Sequence, residues 1–306
     1  MQVILGSGGI IGNGLAEILP QYTDKIRLVS RNPSAVNKND ELMKTDLTNY
    51  EQTVKALEQA DAAYLVLGME YKTAVWKRDW PKVMTNVINA CKKFNTKLVF
   101  FDNVYSYGKV DGWMTEKTPM NPSSKKGEVR AKISEQLINE YKQGNIKAII
   151  ARAADFNGPT KSTFVYPLVY EKVRNGKKAQ WFINADLRHS LTYTADAAKA
   201  AAILGNTPEA YNRVWHLPTD KNAPTGKEFI NMVQETYGKN TGYATLSRWM
   251  LKMAGLFIPV IREMDEMLYQ YDSEYLFDSS DFETHFFKAA PLKKSIEETV
   301  NRLKKT

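Results

Sequence analysis

Three glycines near the start of the chain have the spacing of a nucleotide-binding loop. Gly6, Gly9 and Gly12 complete the pattern G-x-x-G-x-x-G, between an apolar stretch and a helical one. Such a turn lets the backbone approach a pyrophosphate, which the free N–H groups of the helix N-terminus can hold. Glycines alone also form plain turns, but a second strand predicted over 25–30 lies at βαβ distance and favours a dinucleotide site. The predicted contacts of this loop are Gly6, Ser7, Gly9, Ile10, Ile11 and Gly12.

The end of the second predicted strand distinguishes between the two nicotinamide cofactors. An acidic residue there would accept hydrogen bonds from the adenosine ribose, as NAD sites require. This chain has Ser30 instead, followed by Arg31, whose guanidinium can pair with a 2′-phosphate. An exposed arginine in a turn is the alternative interpretation. We therefore predict NADP(H), with NAD(H) as the alternative cofactor.

Further cofactor contacts are predicted where later strands end. Asp46 follows the third strand and could accept a hydrogen bond from the adenine amino group, or serve only as a turn residue. The loop after the buried fourth strand would pass over the cofactor. The remaining predicted contacts are Leu47, Leu67, Gly68, Asn103 and Phe156.

Polar and aromatic side chains follow the fifth predicted strand. Asn103, Tyr105 and Tyr107 leave its carboxyl end, which is the edge where open parallel sheets bind ligands. A tyrosine there could act as an acid or pack against cofactor or substrate, and packing is expected for at least one of the two.

The elements that must position these residues alternate between strand and helix as far as Pro159. This alternation predicts a doubly wound, parallel α/β sheet of the Rossmann type with right-handed crossovers. Beyond it the chain becomes mostly helical, and aromatic and methionine residues are dense over 249–271, where they could form a helical core or line an apolar pocket. We predict a cofactor domain over 1–160 to which 186–217 returns, and a smaller, mostly helical substrate domain from 161–185 and 218–306.

Two predicted helix starts are specific enough to check. Thr48-x-x-Glu51 has the sequence of a capping box, so a helix is expected to begin there and to reach Gln59. A later helix is expected from about Trp80, after a loop over 68–77.

Composition excludes several classes of function. The 306 residues carry a net charge of +8, but lysines alternate with glutamates and no nucleic-acid module is recognisable. Cys91 is the only cysteine, which favours a cytoplasmic protein, and three scattered histidines give no support to a metal site. No apolar run reaches membrane length, and a strand predicted from residue three leaves no room for a signal peptide. We expect a small-molecule substrate, no nucleic acid or membrane partner, and a monomer or homodimer.

These motifs together resemble the short-chain dehydrogenase/reductase superfamily, in its extended or atypical, NAD-dependent epimerase/dehydratase-like branch. The resemblance implies a Rossmann domain with a smaller substrate domain assembled from the insert after Gly158 and the C-terminal third. The matching segments span nearly the whole chain and are the glycine loop, Asp46-Leu47, Asn103 to Gly108, Arg152 to Pro159, Arg188 to Ala197 and Phe277 to Ser280.

The catalytic motif of that superfamily is altered here. The resemblance implies a Ser or Thr after the fifth strand and a Tyr-x-x-x-Lys on the next helix, in which the tyrosine exchanges a proton and the lysine lowers its pKa. Asn103 occupies the approximate Ser/Thr place. One register puts Lys126 and Arg130 on the Tyr and Lys positions; a register shifted by one puts Gly127 and Ala131 there and leaves no chemistry.

The first register has a parallel. Lys126-x-x-Val129-Arg130 resembles the lysine motif of isoflavone-reductase-like enzymes, in which a lysine transfers the proton with NADPH. Residues four apart share a helix face, and a neighbouring cation together with partial burial would lower the pKa of Lys126 toward a useful range. A solvent-facing lysine in a basic first turn is the equally weighted alternative.

Three functions follow from these residues. The leading hypothesis is an NADP-dependent oxidoreductase that acts on a carbonyl or enone group of a small molecule. The second is a nucleotide-sugar epimerase or dehydratase, which the general resemblance suggests but the missing Ser/Thr and Tyr disfavour. The third is a non-catalytic NADP-binding redox sensor that reports through a protein partner.

Overall fold

A seven-stranded parallel sheet forms the centre of the molecule, and the computed structural model describes residues 1–305. The strand order is β11-β7-β5-β4-β1-β2-β3. Strands β1, β4 and β7 are buried along their whole length, which explains their continuous apolar sequences. The strands are β1 (Gln2–Leu5), β2 (Ile26–Ser30), β3 (Glu41–Lys44), β4 (Ala62–Leu65), β5 (Lys97–Asn103), β6 (Trp113–Met114), β7 (Ala148–Ala153), β8 (Asp155–Asn157), β9 (Ala179–Phe182), β10 (Leu191–Tyr193), β11 (Arg213–His216), β12 (Tyr243–Leu246) and β13 (Leu276–Phe277).

Helices cover both faces of this sheet, so the predicted doubly wound fold is confirmed. One face carries α2, α3 and α4, and the other carries α1 and α6. The helices α1 and α6 pack closely at Gly14, where an added Cβ would lie only 2.8 Å from the Cβ of Ala198. The helices are α1 (Ile10–Ile18), α2 (Tyr50–Ala56), α3 (Thr73–Phe94), α4 (Lys125–Lys142), α5 (Glu171–Arg174), α6 (Thr194–Gly205), α7 (Gly226–Tyr237), α8 (Arg248–Gly255), α9 (Pro259–Met264), α10 (Ser280–His285) and α11 (Leu292–Lys304).

The strand order determines where a ligand can bind. The chain runs from β1 outward to β2 and β3, and then returns to the other side of β1 with β4. The direction of winding therefore reverses between β1 and β4. In open α/β sheets the carboxyl ends of the strands beside such a reversal form a ligand crevice.

Both predicted helix starts differ from the structure. Asn49, not Thr48, is the N-cap of α2: its side chain accepts a hydrogen bond from Gln52 N at 2.9 Å, while Thr48 bonds to Asp46. The later helix, α3, begins at Thr73, one turn ahead of Trp76 and two turns ahead of Trp80. Because both tryptophans are buried against the sheet, the additional turns gain apolar burial that the sequence pattern did not reveal.

The smaller part of the molecule is built around a second apolar cluster. Residues of α7 and α11 pack there against β9 and a short π-helical segment, Tyr166–Tyr170. Strand β9 pairs with β12, and β8 pairs with β10. The predicted return of the chain to the main sheet occurs at β11, and Phe282 of α10 also packs on the core of the sheet domain.

The helices α8 and α9 form a hairpin at the edge of the smaller part. They pack against one another around Gly255, where a Cβ would lie 3.2 Å from the backbone of Arg262. Within residues 1–305 no helix combines the length and the apolar character that crossing a bilayer requires.

Candidate functional site

The glycine loop lies at the carboxyl end of β1 and is shaped by two different constraints. Gly6 has φ +98°, and a Cβ there would lie 2.5 Å from Leu67 Cα, so the close approach of the loop to the end of β4 requires glycine. Around Gly8 and Gly9, by contrast, a Cβ would meet no atom within 4 Å. The loop is therefore fixed on its inner side and open on its outer side.

The open side of the loop presents the N-terminus of α1. Gly9 is the N-cap of this helix and provides no side-chain hydrogen bond to the first N–H groups. Two hydroxyls at the ends of the adjacent strands β1 and β2 are also unsatisfied: Ser7 Oγ and Ser30 Oγ are buried and have no hydrogen-bond partner among the described residues. Since an unpaired buried hydroxyl costs free energy, these groups fit a site that a polar ligand completes. The residues present thus fit a dinucleotide.

Arg31 and Asp46, which are predicted to bind the adenosine part of the cofactor, follow the carboxyl ends of β2 and β3. Arg31 is exposed, and no ion pair holds its guanidinium within residues 1–305. It lies close enough to α3 to help lower the pKa of Asp79, which depends mainly on a hydrogen bond from Arg78. Asp46 accepts two hydrogen bonds from Thr48 on Oδ1, while Oδ2 has no partner in the described chain. Both groups are available to a ligand.

The other predicted cofactor residues differ in how far their side chains are buried. Ile11 is buried in the core, so only its backbone faces the loop, and Ile10 is half-buried beside it. The Leu47 side chain is also buried, and its carbonyl accepts a hydrogen bond from Asn86. Phe156 packs on Phe101 with ring centroids 6.0 Å apart. Leu67 and Gly68 follow β4, as predicted.

Asn103 and Tyr105 lie where β5 ends, and Tyr107 serves a structural role. The Asn103 Oδ1 atom accepts a hydrogen bond from the Tyr105 backbone N–H at 3.1 Å. Tyr107 is buried, its hydroxyl lies 2.8 Å from His216 Nε2, and its ring packs under the guanidinium of Arg152. Of the two tyrosines predicted at this edge, Tyr105 is therefore the one available for chemistry.

Tyr105 belongs to a group of aromatic side chains over the crevice. Its ring stacks on Trp76 at 6.2 Å, and the Tyr71 phenol is near enough to contribute to its pKa. Burial raises the pKa of Tyr105 well above its ordinary value, and it does the same for Tyr71. Both phenols therefore keep their protons at neutral pH and are suited to donate a proton rather than to accept one.

Lys126 is fully buried at the start of α4, in contrast to the solvent-facing alternative. Its Nζ donates to Thr73 Oγ1 at 2.8 Å, to Glu263 Oε2 at 2.8 Å and to Glu266 Oε1 at 2.9 Å. The Glu263 backbone carbonyl accepts a further bond, and the Tyr71 ring centroid lies 4.6 Å away. The charged partners of the Lys126 ammonium are therefore carboxylates. Arg130, the neighbouring cation that was predicted to act on Lys126, is not among its partners.

Arg130 is buried on the same helix but belongs to a separate network. Its Nε donates to Asp102 Oδ1 at 2.7 Å, and Arg152 Nε donates to Asp102 Oδ2 at 3.0 Å. Ser134 Oγ contacts the same carboxylate. Burial alone would raise the pKa of Asp102, but the two guanidinium groups lower it below its usual range. Asp102 is thus ionised and holds the two arginines in place. Its position next to Asn103 in the sequence was a signal for a role at this edge of the sheet.

Asp155 forms another polar centre that the sequence did not single out. Its Oδ2 atom accepts a hydrogen bond from Tyr271 at 3.1 Å and lies 3.0 Å from His189 Nε2. The His189 ring is stacked between Tyr271 and Tyr275 at 4.9 and 4.3 Å. Asp155 lies in the segment after β7, where the sequence indicated a resemblance to the superfamily but no role for this carboxylate.

The strand order and the glycine loop at the winding reversal define a dinucleotide-binding protein of the Rossmann class. The profile of the NAD dependent epimerase/dehydratase family matches residues 2–216, and the chain belongs to this family. The predicted resemblance is thereby confirmed at the level of the family. The comparisons do not confirm the isoflavone-reductase-like lysine motif, and no curated protein sequence matches the chain.

Solved structures of similar fold cover essentially the whole chain. UDP-glucose 4-epimerase from Thermotoga maritima, solved with UDP-glucose, has a TM-score of 0.82 at 16% identity over 100% of this chain and 99% of its own. UDP-glucose 4-epimerase from Thermus thermophilus, in complex with NAD, has a TM-score of 0.80 at 16% identity over 99% of each chain. The dTDP-glucose 4,6-dehydratase DesIV from Streptomyces venezuelae has a TM-score of 0.79 at 14% identity over 100% and 98%. Likeness at this identity establishes the fold.

Proposed function

We propose that this protein is an NADP-dependent oxidoreductase that reduces a carbonyl or enone group of a small molecule. The observation that supports this most strongly is the combination of a complete cofactor cradle with a protonated phenol, Tyr105, at the same edge of the sheet. When bound, the nicotinamide would supply the hydride. The chain itself supplies the site for the cofactor and the proton.

The residues proposed to hold the cofactor divide by chemistry. The α1 N-terminus, with Ser7, would bind the pyrophosphate, and Asp46 would accept from the adenine amino group. Arg31 would pair with the 2′-phosphate of NADP, for which its exposed and unpaired guanidinium is suited. Ser30 Oγ would satisfy its missing hydrogen bond with the ribose. The similar structures named above include NAD complexes, so the preference for NADP rests on Ser30 and Arg31 alone.

Tyr105 is proposed as the proton donor. When hydride reaches the carbonyl carbon, the oxygen becomes an alkoxide, and a phenol whose pKa burial has raised can still donate to so strong a base. The phenolate is then reprotonated from solvent. Asn103 Nδ2, which has no partner within residues 1–305, could donate a hydrogen bond to the same oxygen. Lys126 is proposed to stabilise Tyr71, the aromatic neighbour of Tyr105, through its cation–π contact.

A nucleotide-sugar epimerase or dehydratase is the second candidate, because the family model bears that name. Such reactions begin by oxidising a sugar hydroxyl, which requires a base. Here the phenol is protonated, and Lys126, which one register puts at the tyrosine position, is held by two carboxylates. Neither group is free to accept the hydroxyl proton, so the epimerase or dehydratase is placed second.

Calorimetric titration tests the cofactor site. NADPH, NADP, NADH and NAD are titrated into the wild-type protein, Arg31→Ala and Arg174→Ala, in which an exposed arginine far along the chain is replaced. We expect the phosphorylated pair to bind more tightly, and Arg31→Ala to lose about tenfold to hundredfold in affinity for that pair only. Equal loss for NAD, or a wild-type preference for NAD, would contradict the role of Arg31.

Turnover tests the chemistry. NADPH oxidation is followed with a panel of aldehydes, ketones and enones, and UDP-glucose is included as an epimerase substrate. Tyr105→Phe is expected to lower kcat about 10²- to 10⁴-fold with KM little changed, whereas Tyr107→Phe, which removes a buried hydroxyl that contacts His216 and Arg152, should retain activity. Tight NADPH binding without turnover of any carbonyl would support a redox sensor, and turnover of UDP-glucose would support the epimerase.

A further inference from the structure

Within residues 1–305, most of the large hydrophobic side chains that are exposed to solvent lie on the hairpin of α8 and α9. Phe257 is 83% exposed, Trp249 71% and Leu256 68%. The hairpin tip, residues 256–258, consists of three apolar residues that contact solvent instead of a core. The remaining exposed members of this apolar surface are Met250, Met253, Ile258 and Val260. A patch of this kind on a folded protein indicates a binding surface.

The charges of this hairpin that remain free have one sign. Over residues 240–264 the charged side chains are Arg248, Lys252, Arg262 and Glu263, and Glu263 is paired with Lys126. All three cations are exposed. Arg248 pairs with Asp272, whereas Lys252 and Arg262 form no ion pair within the described chain. The apolar surface is thus flanked by free positive charge, on a chain whose net charge is +8.

We propose that the α8–α9 hairpin binds an anionic lipid surface, with its tip at the level of the acyl chains. An apolar tip bearing a tryptophan and bordered by lysine and arginine is the composition that binds the interface of a charged membrane. This contact would lie on the bilayer without spanning it. It departs from the expectation of no membrane partner, which was drawn from the lack of an apolar run of membrane length.

A second copy of the chain fits this surface less well. Two apposed hairpins would bring two sets of Arg248, Lys252 and Arg262 together, and Glu263, the acidic residue of the two helices, is already paired with Lys126. Like charges across an interface oppose association. An anionic surface, by contrast, neutralises these cations and covers the apolar side chains in one contact.

Vesicle flotation tests the proposal with the full-length protein. Vesicles of phosphatidylcholine alone are compared with vesicles of phosphatidylcholine mixed with phosphatidylglycerol. We expect the protein to float with the mixed vesicles, and much less with the neutral ones or in high salt. No flotation with the mixed vesicles, or equal flotation with both, would overturn the proposal.

Two pairs of variants separate the apolar and the charged contributions. The double variant Leu256→Asp, Phe257→Asp should lower partitioning at least about tenfold, while Leu42→Asp, which changes an exposed apolar side chain on the edge strand β3, should not. Lys252→Gln with Arg262→Gln should lower it about thirtyfold, and the matched change Lys177→Gln with Lys178→Gln should have little effect.

Light scattering during size-exclusion chromatography tests whether a second copy of the chain, instead of a lipid surface, covers the hairpin. A dimer that the Phe257→Asp change dissociates, in a protein that does not float, would show that a second copy covers the hairpin and would overturn the lipid proposal. Because all the changed side chains are exposed, each variant is expected to keep the wild-type thermal unfolding temperature, which verifies that a loss of flotation is not a loss of fold.

Discussion

Replacing Lys126 with methionine tests how the site is held together. Methionine keeps the apolar stem but removes the ammonium, so Glu263 and Glu266 lose the cation between them. The pKa of Glu263 provides the magnitude: burial alone would raise it, but hydrogen bonds from Lys126 and Thr73 lower it to about 2 from an ordinary value of 4.5. A shift of that size corresponds to at most about 3–4 kcal/mol.

Solvent reduces that upper limit. The Glu263 side chain is 23% exposed, and Thr73 supplies part of the stabilisation, so we expect Lys126→Met to lower the free energy of unfolding by about 1–2 kcal/mol at neutral pH. The folded pKa is lower than the unfolded one, so this stability is present above about pH 4.5 and is lost as the pH falls toward 2. The difference between wild type and variant should therefore shrink in acid.

Urea denaturation followed by tryptophan fluorescence measures this difference from neutral pH down to about pH 3. Lys125→Met is the matched control, because the neighbouring lysine is exposed and its side chain makes no ion pair within residues 1–305. The reasoning is refuted if the Lys126→Met difference stays below about 0.5 kcal/mol at neutral pH or does not change with pH.

Three further changes have defined outcomes. Gly6→Ala places a Cβ 2.5 Å from Leu67 Cα at a positive φ, so it should lower the free energy of unfolding by about 1–3 kcal/mol and weaken NADPH binding. Gly8→Ala has the same φ of +98° but its Cβ meets no atom within 4 Å, so it carries only the backbone strain and should be milder; thermal unfolding with and without NADPH distinguishes the two variants. Asp102→Asn leaves two buried guanidinium groups without their carboxylate and should cost about 3–5 kcal/mol in urea; a loss below about 1 kcal/mol would contradict this. Burial lowers the pKa of His216 to about 3, so its contribution to stability is present above pH 6.5 and falls by about 2 kcal/mol by pH 5, a slope that His216→Gln should remove.

The fold was predictable because its signals are local. Alternation of apolar strands with helices determines a doubly wound sheet, and the glycine loop follows β1 directly. Even Tyr105 could be placed, since the carboxyl ends of parallel strands lie at one edge. The start of α3 was not predictable in the same way, because its first turns are stabilised by the burial of Trp76 against other elements.

The surroundings of Lys126 could not be read from its neighbours in the sequence. Its two carboxylate partners lie 137 and 140 residues further along the chain. The apolar and aromatic residues of that segment predicted a helical core or an apolar pocket, not an ion pair. The i, i+3 spacing of Glu263 and Glu266 was a signal that both could face one partner. Nothing local, however, identified that partner as a lysine on α4.

The carboxylate of Asp102, shared by Arg130 and Arg152, also restricts the evolutionary routes open to this protein. The tyrosine and lysine of the superfamily motif cannot be introduced here without a loss of stability. Lys126→Tyr leaves Glu263 and Glu266 without their cation, and Arg130→Lys exchanges a forked donor for a point charge beside a carboxylate held by two arginines. Because the two networks are separate, the two losses add, so each step toward that motif lowers the stability of this chain.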